Sequence, residues 1–133
     1  MLYKGNIPAM RHLSIALVVL GVSFLTLPII IELLPSMFRW SNPMVNMADE
    51  HMIVAIYYAL GICFFMAAKD PLRNVILIDF TIISSLFHGA VMAYYAIALE
   101  GEIAHMWGDV LLMFLLAIGF IIYHPRRIER AAA

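Results

Sequence analysis

Apolar residues run along this chain in four long blocks, roughly Leu13–Leu34, Met52–Ala68, Val75–Leu99 and Met106–Tyr123, separated by short polar segments. Each block is about 17–25 residues long, the length a helix needs to cross a hydrocarbon layer ~30 Å thick. The second and third connections are too short for anything but antiparallel neighbours. The pattern therefore predicts a single all-α domain over 1–133, a four-helix transmembrane bundle of up-down-up-down topology. Pro28 should kink the first block near its end, and Pro35 should help to stop it. Asp70-Pro71 reads as a helix start, with Asp as N-cap and Pro at the first helical position. Gly101-Glu102 should open the fourth helix, where a carboxylate suits the positive end of the helix dipole.

Composition supports the membrane reading: 65% of the residues are hydrophobic, which points to an integral membrane protein. Charge then orients it. Seven of the eight Lys and Arg side chains (Lys4, Arg11, Lys69, Arg73, Arg126, Arg127 and Arg130) fall on one side, and only Arg39 falls on the other. The positive-inside rule assigns the basic side, and with it both termini, to the cytoplasm. The outer side carries Asp49, Glu50, Glu100 and Glu102. Its first loop, Ser36 to Glu50, also holds Phe38 and Trp40, and part of it should lie along the interface, where Trp is favoured. No basic patch with interleaved aromatics is present, which argues against nucleic acid as a partner. The apolar run after Arg11 is too long for a signal peptide and lacks a small-x-small cleavage site, so it reads as a retained helix. Cys63, the single cysteine, excludes an internal disulfide and any dithiol mechanism, and reads as a packing residue.

Ionisable groups in the apolar blocks carry the functional signal, because each costs about 2.5–3.5 kcal/mol at mid-bilayer unless it is paired or wet. His88 stands nearest the middle, in Ser84-Ser85-Leu86-Phe87-His88-Gly89-Ala90. Small residues Ser84, Ser85 and Gly89 around it would give clearance for a haem or chlorin ligated by the imidazole. The same residues equally suit close helix packing with a hydrogen-bonded histidine, and proton or quinone chemistry is a third reading. A bis-histidine haem would need a second mid-membrane histidine beside His88, which this chain lacks, so a haem would require an outside partner or a different axial ligand.

A second constellation lies on the outer side. His105 and Asp109 are four apart and share a helix face. With His51 at the start of the second block they form a candidate set of two imidazoles and one carboxylate for a divalent metal, and Met44, Met47 and Met52 nearby would favour copper. The plainer reading has Asp109 orienting His105 at the helix entry. Glu32 invites comparison with small multidrug exporters, but it lies about a turn from the end of its block rather than mid-helix, and should reach interfacial water or an outer partner. Asp79 lacks a basic partner one turn away and should pair with Lys69, Arg73 or another subunit. Tyr57, Tyr58, Tyr94 and Tyr95 read as interfacial or interhelical residues.

The runs Tyr57-Tyr58-Ala59-Leu60-Gly61, Ala67-Ala68-Lys69-Asp70-Pro71, Ser84-Ser85-Leu86-Phe87-His88-Gly89-Ala90-Val91-Met92 and His105-Met106-Trp107-Gly108-Asp109 resemble a group of small bacterial four-helix membrane proteins of uncharacterised function. The resemblance covers the last three blocks. It implies a bacterial inner-membrane setting, brings no activity with it, and points to Asp70, His88, His105 and Asp109.

Two functional expectations follow. One is an accessory or structural subunit that packs against a larger membrane complex, such as a bioenergetic one, with lipid and other subunits as its partners. The alternative is a small ligand-binding protein, taking haem, chlorin or quinone at His88, or copper or another metal at His51, His105 and Asp109. With no nucleophile–base pair, phosphate loop or metal-hydrolase motif, an independent enzyme is not expected.

Overall fold

The computed structural model describes residues 2–40 and 47–133. Within them every regular element is helical: α1 (Pro8–Leu25), α2 (Leu27–Leu33), α3 (Pro35–Phe38), α4 (Met47–Ala67), α5 (Val75–Ala98), a 3-10 turn (Ile103–Trp107), α6 (Asp109–Ile122) and α7 (Pro125–Ala132). Three helical runs are long and apolar enough to cross a membrane: Pro8–Leu25, Val75–Ala98 and Ile103–Ala132. The apolar part of α4, His51–Ala67, is shorter. Large apolar side chains such as Val19, Ile56, Ile76, Phe87, Ile97 and Leu115 are exposed along these helices. A soluble monomer rarely exposes so much apolar surface, whereas lipid accepts it, because each helix satisfies its own backbone hydrogen bonds.

α1 packs on α4 and α5 packs on α6, so the fold consists of two helical hairpins. Gly21 and Gly61 let the first pair approach closely: a Cβ on Gly21 would lie 2.9 Å from the Gly61 carbonyl oxygen, and one on Gly61 would lie 3.0 Å from that of Gly21. In the second pair Gly89 has the same role, since a Cβ there would stand 3.2 Å from Met113 Cβ and 3.3 Å from the Phe114 ring. Small residues at such crossings gain van der Waals contact where no hydrophobic force drives association. The main buried cluster gathers Met10, Leu13, Leu17, Phe64, Ala67, Ile78, Phe120 and Ile128. Within it, Phe64 of α4 meets Phe120 of α6 with ring centroids 5.9 Å apart, which links the two hairpins.

Several boundaries follow the sequence chemistry. Pro28 lacks the N–H that would bond the Phe24 carbonyl, and the first apolar block breaks at Thr26, between α1 and α2. Pro35 opens α3. Asp70 corrects the expectation attached to it: its Oδ1 accepts the Arg73 amide at 3.1 Å, but this caps a turn, and α5 starts only at Val75 with Asn74 before it. Glu102 likewise stands before a 3-10 turn rather than an α-helix and makes no side-chain cap. At the far end of α6, α7 turns back and packs on α1, burying Pro125 and Ile128.

Candidate functional site

A long cleft lies between the two hairpins. It has a volume of about 1120 Å3 and draws its walls from α1, α4, α5 and α6. The lining is mostly aliphatic, with residues such as Ala16, Leu20, Val91, Leu112 and Leu116. His12 and Tyr123 mark one end, and Trp40, Asp49, Leu99 and Asp109 mark the other. Gly119 of α6 faces open space in it, with nothing within 4 Å of where a Cβ would stand. Concave, largely apolar volumes with a few convergent polar groups are the usual form of a small-molecule site.

His88 lies in this cleft, half-buried. Its Nε2 is 3.3 Å from the Tyr57 hydroxyl, and the two rings meet edge-on at 6.2 Å between centroids. Tyr57 is held by stacking on Phe24 at 5.2 Å. The small residues around His88 divide into two sets. Ser84 shares the His88 face and turns its hydroxyl back to the Thr81 carbonyl at 3.3 Å. Ser85 and Gly89 are buried, and Gly89 meets α6. The clearance that suggested a ligated macrocycle is thus largely taken by helix packing.

The Trp40 end of the cleft is closed by a polar cluster. His105 is almost wholly buried, at 1% exposure, and stands between two carboxylates: Glu102 Oε2 lies 3.2 Å from its Nε2, and Asp109 Oδ1 lies 3.1 Å from its Nδ1. Glu102 is itself only 3% exposed. The Trp40 ring stacks on the imidazole, 4.1 Å between centroids and 17° between planes, while its indole N–H donates to Asp109 Oδ2 at 3.3 Å. The Val110 amide donates to Asp109 Oδ1 at 2.9 Å. Gly108 allows this assembly, because a side chain there would overlap the Met37 backbone of α3. Both imidazole nitrogens are engaged, which makes the cluster a closed hydrogen-bonded unit that pins the first hairpin to the second.

The expected trio of His51, His105 and Asp109 divides in the same way. His105 and Asp109 come together, whereas His51 lines a separate, smaller cavity with Glu32, Arg39 and Tyr58. Among the described residues no group of three or more His, Cys, Asp and Glu is placed to hold a metal ion. Met44 lies outside the described residues, as do the side chains of Met47 and Glu50. Glu32 forms an ion pair with Arg39 and is well exposed. Asp79 pairs inside the chain with His124 Nε2 at 2.9 Å and Arg126 Nη1 at 3.9 Å, rather than with Lys69 or Arg73. The roles of Trp40, Glu102, Tyr57 and His124 were not visible in the sequence; the one available signal was the placement of Glu102 three residues before His105.

No curated protein and no solved structure matches this chain. The model of a family of unknown function (DUF6632) matches residues 8–129, and the chain belongs to that family.

Proposed function

We propose that this chain is a four-helix, up-down-up-down protein of a bacterial inner membrane, with both termini cytoplasmic, and that it binds an elongated lipophilic molecule in the cleft between its hairpins. The cleft carries the reading: about 1120 Å3 of mostly aliphatic space is room for a long apolar body, with Tyr57 and His88 offering a hydrogen bond partway along it. A chain lying beside these two residues suits the space better than a macrocycle ligated at His88, whose neighbour Gly89 is packed against α6. A second reading, an accessory subunit packed against a larger membrane complex, is compatible with the exposed apolar faces that carry Ile76, Phe87 and Ile97.

Gly119→Phe tests the cleft directly. The new ring enters open space, and replacing glycine by phenylalanine within a helix gains a few tenths of a kcal/mol of helix propensity, so the variant should fold. Mass spectrometry of protein purified in mild detergent should find a lipophilic molecule on the parent and little or none on the variant. Equal content on both, or none on either, would sink the proposal.

Orientation is tested separately, in a Cys63→Ala background. Glu100→Cys should react with a membrane-impermeant maleimide in intact cells, and Arg73→Cys only after permeabilisation. The opposite labelling would invert the topology.

A further inference from the structure

The charges around the cleft discriminate among lipophilic molecules. The Trp40 end is lined by the Asp49 and Asp109 carboxylates together with the aromatic rings of Phe38 and Trp40. Glu102 stands just behind, against His105, and Glu32 lines the adjoining small cavity. Against these four carboxylates the surrounding described groups are Arg39, His51 and His105. With the carboxylates ionised, the balance stays negative even when both imidazoles are protonated, however the pairs are arranged. No lysine or arginine lines the cleft among the described residues. The opposite end offers His12 and Tyr123, and the walls between are mainly aliphatic.

We propose that the cleft selects a single-chain lipophilic cation, such as a long-chain amine or quaternary ammonium compound. The positive head lies at the Trp40 end near Asp49 and Asp109, and the tail runs along α6 toward Tyr123. The 14 residues of α6 measure ~21 Å at the helical rise, a length that takes an extended alkyl tail. An ammonium head gains from the carboxylates and from the electron-rich faces of the aromatic rings. A carboxylate or sulfate head would meet like charge in a site of low dielectric, where repulsion is strong. This inference rests on the cleft being a ligand site, and its test separates the two claims.

The Trp107→Phe variant leaves Trp40 as the single tryptophan, and Trp107 is exposed and outside the cleft lining. This protein, in nanodiscs of uncharged-headgroup lipid, is titrated with spin-labelled C16 chains bearing a trimethylammonium, a hydroxyl or a sulfate head, corrected for each probe's partitioning into empty discs. Trp40 fluorescence should be quenched by the cation at a mole fraction roughly tenfold lower than by the alcohol, with the sulfate weakest, and added salt should narrow the gap. Asp109→Asn should remove most of the preference. Asp49→Asn, outside the His105 cluster, should reduce it and keeps the test intact if the first variant fails to fold. Gly119→Phe should abolish quenching by all three probes. Equal quenching by cation and alcohol, or a preference unchanged in the folded Asp variants, would overturn the charge selection and leave the cleft occupied. Absence of specific quenching by every probe would remove the ligand site and the selection together.

Discussion

Replacing His105 with alanine is expected to cost about 3–5 kcal/mol of stability, because a cavity opens and two buried hydrogen bonds are lost with the ring. The imidazole, 1% exposed, separates Glu102 at 3.2 Å from Asp109 at 3.1 Å. Without it Glu102 and Asp109 each lose one hydrogen-bond partner beside a new cavity. The indole of Trp40 also loses the ring it stacks on. A buried leucine truncated to alanine has only a cavity to accommodate, whereas here a cavity and lost hydrogen bonds coincide. Mixed-micelle denaturation followed by circular dichroism measures the effect, with Ile97→Ala on the exposed surface of α5 as the control. His105→Gln, which keeps a donor and an acceptor, should recover part of the loss. If the alanine variant unfolds at the same point as the control, the buried cluster does not hold the hairpins together.

The second large effect is expected where α1 crosses α4. A β-carbon on Gly21 would stand 2.9 Å from the Gly61 carbonyl oxygen and 3.0 Å from the Phe65 ring. Backbone supplies one side of that contact, so the helices themselves must separate. Gly21→Ala should cost about 1–3 kcal/mol, and Gly21→Leu more, because its branched end has no gap to enter. Gly61→Ala should behave alike, with Phe24 Cβ at 3.3 Å as a further obstacle. Once one substitution has parted the helices, the second meets a gap already open. The double alanine variant should therefore lose less than the sum of the singles, a coupling read from a double-mutant cycle. Strict additivity would show that the two glycines do not share one contact.

Features that depend on local order were legible in the sequence. Helix positions followed from the length of the apolar blocks, the break near Pro28 from a missing N–H, and the meeting of His105 with Asp109 from their spacing of four. What required the fold is separated along the chain: Trp40 reaches Asp109 across 69 positions, and Asp79 reaches His124 across 45. Side-chain type alone does not select such pairs, since several partners of suitable charge compete. Small residues near His88 were ambiguous for a different reason: both a bound macrocycle and a neighbouring helix demand absent side chains, and only the position of α6 shows which demand Gly89 meets. Glu102 was read by its distance from a helix start, but the 3-10 turn carries its carboxylate to His105 instead.

The hairpins are fastened to each other at both ends of the cleft. At one end Trp40 grips His105 and Asp109; at the other, α7 leaves α6 and lies on α1. If the cleft takes the molecule proposed above, the seam between the hairpins offers it an entry sideways from the bilayer. For a bilayer-embedded chain, occupancy is then set by how much of the molecule is dissolved in the lipid rather than in the surrounding solution. A compound with an unremarkable aqueous concentration but strong partitioning would saturate the cleft, and diluting the protein with fresh lipid would empty it as effectively as washing would empty a soluble receptor.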